Sequence, residues 1–190
     1  AHPASGLRRL IGAGARGADP PPPYWAYHWA GGAALARFIL DRPEWIAGRR
    51  VLDLGSGSGV VAIAAATCGA ASVVANDVDA HAIAAIGLNA AANNVRIATI
   101  LGDMTTGEPP HADAILVGDL FYDSALARRV AAFLEKCAAA GATVLVGDPG
   151  RAHLPRERLR LLAEIPTPDF GEVSGAAPRL SGVYAFDPLR

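Results

Sequence analysis

Apolar and polar residues recur along this chain with two periods, and the switches between them mark out its elements. Residues 31–41, GGAALARFILD, carry apolar side chains at helical spacing and stop before Pro43, which predicts a helix. RVLDL at 50–54 is an apolar run around a single acid, the pattern of a buried strand. The rhythm then repeats, with a helix predicted over 58–68, a strand over 72–76 and a helix over 79–93. A short strand at 96–101, a strand at 112–118, a helix at 124–140 and a strand at 143–147 follow. Strands that alternate with helices predict an α/β, Rossmann-like fold with a mostly parallel sheet. A further helix is expected over 154–163, and beyond it residues 165–173 and 182–186 are expected to close the sheet as an antiparallel pair. Residues 1–23 are rich in Gly, Ala, Arg and Pro and end in four prolines, so they predict a flexible arm, with 24–190 as one domain.

Composition narrows the classes. At 190 residues there is room for one compact domain and a short extension, and 52% hydrophobic against 18% charged residues is a core-forming balance. A net charge of −1 lacks the basic excess that phosphate backbones demand, so nucleic acid is not an expected partner. The most apolar window, 60–75, is too short for a bilayer and is broken at Gly69, so no membrane helix is expected. No secretory signal is visible at the start of the chain. Cys68 and Cys137 lie in separate Ala-rich runs without a CxxC pair, which predicts two buried thiols in a reducing compartment and no metal. The histidines are scattered, and His28 is read as structural.

The chemistry begins at VLDLGSGSG, 51–59, where a buried strand runs into a turn with Gly55, Gly57 and Gly59 and then into a helix. Such a turn lets backbone approach a ligand closely and offers the free N–H groups of a helix start, although it also serves plain strand-to-helix packing. Asp77 ends the next strand 22 positions after Gly55, about where open α/β sites place a carboxylate for ribose hydroxyls. The turn reads GSGSG rather than the dinucleotide GxGxxG, and Asp53 stands two residues before it, where a pyrophosphate would be repelled. S-adenosyl-L-methionine carries a cationic sulfonium and an amino group and no phosphate, so that acid becomes favourable. Asp103 and Met104, just past the third strand, offer an acceptor and an apolar neighbour for an adenine ring, or a simple turn cap.

With DLGSGSG, ANDVD, LGD at 101–103 and a fourth strand ending in GDLFYD, the chain resembles the seven-strand S-adenosylmethionine-dependent methyltransferases over roughly residues 24–187. PPYWAYHWAGGAALARFILD, GDLFYD at 118–123 and GDPGR at 147–151 together resemble the family-16 protein-lysine methyltransferases. That resemblance implies that Asp53 and the loop Gly55, Ser56, Gly57 and Gly59 hold the methionine part. It further implies that Asp77 with Val78 meets the ribose, that Asp103 and Met104 meet the adenine, and that Trp29 and Gly31 border the cofactor. It also implies a protein acceptor presenting a lysine, either the β-subunit of electron transfer flavoprotein or a ribosomal protein. A monomer is expected, in a bacterial cytoplasm, with the mitochondrial matrix as the alternative location.

GDLFYD lies past a strand end, where α/β sheets place their ligands. A lysine amine, with a pKa near ~10.4, must be neutral to attack a methyl group. Asp119 is therefore expected to orient the incoming amine, with Tyr122 and Phe121 enclosing its stem; the plainer alternative has Asp119 capping a helix and Phe121 in the core. Leu120 and Phe121 replace the two prolines found at this turn in methyltransferases of planar amines, which favours an aliphatic amine. Tyr24, Trp25, His28 and Trp29 are read either as the rim of an acceptor channel or as a plug on the sheet. Arg151 is expected to meet an acidic partner or a local carboxylate, and Arg156, Arg158 and Arg160 to form a solvated helix face. A small-molecule amine methyltransferase, a non-catalytic cofactor-binding module and a nicotinamide dehydrogenase remain as alternatives. A closed acceptor pocket would mark the first, and a blocked path between Asp119 and the Gly-rich turn the second.

Overall fold

The computed structural model describes residues 23–168 and 179–187. All but the last residue of the expected arm at 1–23 lies outside them, as does the stretch 169–173 of the expected closing strand. One seven-stranded sheet holds β1 (Arg50–Leu54), β2 (Ser72–Asp77), β3 (Ala98–Leu101), β4 (Ala114–Gly118), β5 (Thr143–Asp148), β6 (Leu159–Thr167) and β7 (Arg179–Phe186) in the order β3-β2-β1-β4-β5-β7-β6. The first five strands are parallel, and β7 runs antiparallel to both β5 and β6. Among the described residues, four helices cover the faces: α1 (Ala30–Asp41), α2 (Val60–Thr67), α3 (Ala80–Ala92) and α4 (Ser124–Ala139). The chain walks outward from β1 to β3 and then returns to β4 beside β1, so the crevice between the ends of β1 and β4 is the sheet's switch point.

Side-chain alternation divides the core in two. Val51, Leu116 and Leu145 point to one face and pack with Leu35, Phe38 and Ile39 of α1 and Val61 of α2. Leu52, Ile115, Val117 and Val146 point to the other, against Val130, Phe133 and Leu134 of α4. Asp123 caps α4 by accepting from the N–H groups of Ala125 and Leu126 at 3.0 and 2.9 Å, and Asp79 caps α3 through His81 N–H at 2.8 Å. At the start of α1 the helix and sheet backbones touch: a Cβ on Gly147 would run into the carbonyl oxygen of Gly31, and one on Gly118 would lie 2.8 Å from Gly32 Cα. These glycines let the residues that precede α1 reach the ends of β4 and β5.

Three expectations are corrected. Residues 154–163 do not form a helix; a short 3-10 turn at Arg156–Arg158 leads into β6, the outermost strand. A register shift between Leu161 and Ala163 interrupts the strand's two-residue period, which is why the sequence mimics a helical spacing. The arginines there are not one solvated helix face. Arg158 pairs with Glu135 and lies 5.0 Å from the Phe186 ring centroid, and Arg160 pairs with Asp187 at 3.4 Å. Cys137 is buried, but Cys68 is only half-buried, its thiol donating to Ile39 O at 3.3 Å. Among the described residues, no helix is long and apolar enough to cross a membrane.

Candidate active site

A cleft opens at the switch point, floored by the Gly-rich turn and roofed by residues 25–29. Trp29, Asp53, Gly55, Ser56, Gly57 and Asp119 all line it, so six of the residues picked out in the sequence meet in one place. Gly55, Gly57 and Gly59 all have positive φ (66°, 56° and 90°), a conformation that a side chain at these positions would strain. Gly59 faces Ile86 of α3 rather than the cleft. The turn is pinned from both sides: Ser56 N–H donates to Asn76 O at 2.9 Å, Gly57 N–H to Asp77 Oδ2 at 2.8 Å, and Asn89 Nδ2 to Ser58 O at 2.8 Å.

Asp53 is 1% exposed, and its Oδ2 accepts from Ser56 Oγ at 2.5 Å and from Ala62 N–H at 3.0 Å. Burial pushes its carboxyl up to about 7, the nearby charge of Asp77 adds to that, and the two hydrogen bonds oppose it. A cation in the cleft would relieve this desolvation, and no Lys or Arg is among the lining residues. Asp77 Oδ1 accepts from Asp79 N–H at 3.0 Å, which fixes its carboxylate beside the turn with lone pairs to spare. Asn76 ties the neighbouring strand in, its amide donating to Ile100 O at 2.9 Å and Gly102 O at 2.8 Å. Val78 is 71% exposed beyond Asp77. Asp103 caps its own turn, accepting from Thr105 N–H at 2.9 Å, and Met104 packs against the core beside α4; neither they nor Asp77 or Val78 line the cleft itself.

On the β4 side, Asp119 leaves its strand with φ 57° and is 6% exposed. Its Oδ2 accepts from Gly32 N–H at 2.7 Å and its Oδ1 from Arg151 Nη2 at 2.9 Å. Asp119 is therefore not a free carboxylate awaiting an ammonium; it already ties α1 to the GDPGR loop, while the capping of α4 belongs to Asp123. Arg151 has met a local carboxylate, and its guanidinium also lies 5.4 Å from the Trp29 ring centroid. Asp148, fully buried, holds that loop by accepting from Gly150 N–H at 2.7 Å and Arg151 N–H at 2.6 Å. Burial pushes its carboxyl up to about 6, with Asp119 adding to the effect.

The left-handed turn at Asp119 redirects the side chains after it. Leu120 packs on Gly55, where a Cβ would come within 2.7 Å of its Cδ2, and Phe121 is fully buried against α4. Phe121 thus belongs to the core and does not enclose a substrate. Tyr122 is 54% exposed and lies outside the cleft lining, 6.0 Å between ring centroids from Tyr24, which is 49% exposed and also outside it. Trp29 Nε1 donates to Tyr24 O at 2.7 Å, and Trp25 stacks on His81 at 6.2 Å, so the aromatic segment is a roof and rim and not a plug on the sheet. Gly31 does not border the cleft either: it packs on Gly147, and Gly32 takes its place in the lining.

Residues 38–143 match the family Ribosomal protein L11 methyltransferase (PrmA). The chain belongs to this family. It is 47% identical over 155 residues to the electron transfer flavoprotein beta subunit lysine methyltransferase of Danio rerio, covering 78% of this chain and 60% of that protein. It is 41% identical over 172 residues to the protein of the same name from Rattus norvegicus, covering 87% and 68%. The chain thus spans roughly two thirds of the length of these relatives. The fold matches a crystal structure of magnesium protoporphyrin IX methyltransferase from Synechocystis with bound SAM, at a TM-score of 0.61 and 12% identity, over 97% of this chain and 92% of that one.

S-adenosylmethionine is accordingly the cofactor of this methyltransferase fold, and the cleft fits it: a buried acid, a positive-φ turn, a second acid at the turn's edge and no cationic side chain in the lining. The sequence reading missed Asn76 and Asn89, whose amides brace the site, and left Arg151 undecided. For the Asp148 loop that aims Arg151 a signal was present, because Gly102-Asp103, Gly118-Asp119 and Gly147-Asp148 repeat one dipeptide at the ends of three successive strands.

Proposed function

We propose that this methyltransferase transfers a methyl group from S-adenosylmethionine to the side-chain amine of a protein lysine, with the β-subunit of electron transfer flavoprotein as acceptor and a ribosomal protein as the second candidate. One observation carries this reading: a single cleft is lined both by the Gly-rich turn and by Gly118 and Asp119, and Tyr24, next in the chain to the lining Trp25, is half-exposed beside Tyr122. Asp119 in the same lining as the Gly-rich turn speaks against a module that only holds the cofactor. Half-exposed Tyr24 and Tyr122 speak against a small-molecule enzyme, which would enclose its acceptor. The two relatives named for lysine methylation support the same choice.

In this reading Asp53, with Gly55, Ser56, Gly57 and Trp29, holds the methionine part, Asp77 with Val78 the ribose, and Asp103 with Met104 the adenine. When bound, the cofactor supplies an electrophilic methyl on sulfur. The neutral lysine nitrogen forms the new C–N bond as the S–C bond breaks, and the proton shed from nitrogen leaves to solvent through the open rim. Tyr122 and Tyr24, whose rings lean on each other, cover the aliphatic stem from one side and strip it of water, and Asp119, held by Gly32, sets the wall against which the amine aligns. Alignment of this kind lowers a barrier by several kcal/mol without a proton-abstracting base. We place the protein in a reducing compartment such as a bacterial cytoplasm, acting as a monomer.

The test is to incubate the purified protein with radiolabelled S-adenosylmethionine and purified electron transfer flavoprotein β-subunit, with a host lysate in parallel. Label on lysine of the subunit supports the reading. Label only on another protein moves the acceptor, and label confined to small molecules overturns it.

A further inference from the structure

The amine's environment is set by a pair of charges that comes from distant parts of the chain. A lone carboxylate beside an acceptor amine draws in the ammonium, but it also stabilises that protonated form, which cannot attack. Asp119 is not alone: Arg151, 32 residues on, donates to its Oδ1 at 2.9 Å, with only 21% of the arginine side chain exposed. The same guanidinium lies against Trp29 at 5.4 Å, and Trp29 in turn holds Tyr24 O at 2.7 Å. A planar, permanently charged group can bond a carboxylate through its edge while its face covers an aromatic ring, which an ammonium cannot.

We propose that Arg151 is a positioning residue of the acceptor site: by pairing with Asp119 it cancels the carboxylate's field where the amine arrives, and by lying on Trp29 it fastens the aromatic roof to the strand ends. This rests on the reading that an amine is methylated beside Asp119. The spacing of GDPGR follows from the task. Asp148 grips the N–H groups of Gly150 and Arg151, Gly150 turns with φ 92°, and the arginine is thereby aimed back at β4.

Several other groups face the pair. From β5 comes Asp148, whose charge acts on both members; beyond it lie Tyr184 of β7 and Arg156, whose Nη2 donates to Gly150 O at 3.5 Å. Asp53 and His28 line the same cleft, and Tyr122 faces Tyr24, Asp77, Asp123 and Arg129 instead. Burial holds Asp148 near 6 and Asp53 near 7, and raises both Tyr122 and Tyr184 above the usual tyrosine value. Between these two acids and these two tyrosines lies an alkaline range in which none of the four changes charge, so a limb that moves there belongs to another group.

The experiment measures kcat against pH for methylation of purified electron transfer flavoprotein β-subunit by the wild-type protein, Arg151→Met, Arg151→Lys and the double variant Arg151→Met/Asp119→Asn. Melting temperature and S-adenosylmethionine affinity are measured on each preparation. Arg151→Met exposes the amine to an uncompensated carboxylate, so its acid limb should move up by about one pH unit or more while kcat approaches the wild-type value at the alkaline end. Arg151→Lys keeps the charge and should return the limb toward its wild-type position. The double variant, in which Asn still accepts from Gly32, should return it as well, and it keeps the question answerable if Arg151→Met does not fold. A loss of turnover equal at every pH, unrepaired by lysine, would make Arg151 merely structural and overturn the proposal. Wild-type transfer with no shift in Arg151→Met overturns it alone, whereas no transfer by the wild type at any pH overturns the acceptor assignment with it.

Discussion

On the β1–β2–β3 wall of the cleft each of four shaping contacts joins a side chain to a backbone group within 26 residues: Gly57 N–H to Asp77, Ala62 N–H to Asp53, and the Asn76 amide to two carbonyls of the β3 end. On the β4–β5 wall Asp119 reaches back 87 residues to the backbone of Gly32, and forward to a second side chain, that of Arg151, which covers Trp29. The first wall suits a ligand that never changes, because backbone groups stay in place whatever residue carries them. The second is assembled from parts that can vary independently, as recognition of a particular acceptor requires.

The largest expected effect breaks the second wall. Asp119→Ala removes one partner of a buried ion pair and the acceptor for Gly32 N–H, and it should cost about 3–5 kcal/mol of stability along with most of the turnover. The urea midpoint checks it; an unchanged midpoint would mean that the β4–β5 wall keeps its shape without the pair. On the first wall, Asp77→Ala should weaken S-adenosylmethionine by about 1.5–3 kcal/mol with little change in melting, because its bonds serve a ligand and one turn. Calorimetry decides, and an unaltered dissociation constant would move the ribose contact elsewhere.

How legible these walls are in the sequence differs for the same reason. The strand at 50–54, the Gly-rich turn and Asp77 at the end of β2 are local patterns, and periodicity and spacing put these elements where they stand, although Asp77 braces the turn and does not line the cleft. Asp123 as the cap of α4 is local too. By contrast, no spacing rule shows that Asp119 bonds Gly32 or that Gly31 packs on Gly147, since both depend on where α1 crosses the sheet. GDLFYD leaves Phe121 open between stem and core because nothing in it announces a positive φ at Asp119, which turns Leu120 onto Gly55 and Phe121 into the core. The helix expected at 154–163 failed on one residue of register at Leu161.

A smaller effect tests the helix crossing. Gly147→Ala would press a methyl group into Gly31 O and Leu35, backbone and core that cannot move aside, and should cost about 1–3 kcal/mol in thermal unfolding. Wild-type stability would show that α1 can back away from the sheet. The smallest is a pH dependence. Asp53 near 7 and Asp148 near 6 hold protons in the folded state that the unfolded chain has released above about 4, so their contribution favours folding below that value and is lost as pH rises through 6 to 7. Asp103, Asp113 and Asp123 are shifted the other way, and their contributions change only below about pH 4. The ligand-free protein should therefore melt at progressively lower temperature from pH 4 to 7, and Asp53→Asn should flatten that slope. A melting temperature that rises across this window in the ligand-free protein would contradict the burial of both acids.

The irregularity in β6 has a consequence for how the molecule meets others of its kind. A sheet ends in two rows of unsatisfied peptide groups, and a straight apolar border strand invites a neighbour to extend it. Here β3 forms one border and is only four residues long. The other border, β6, is kinked at Leu161, lacks an N–H at Pro166, and carries Arg160 and Glu164. Neither margin offers a template on which another chain could add a strand, so the sheet can stay open at both ends without seeding aggregation.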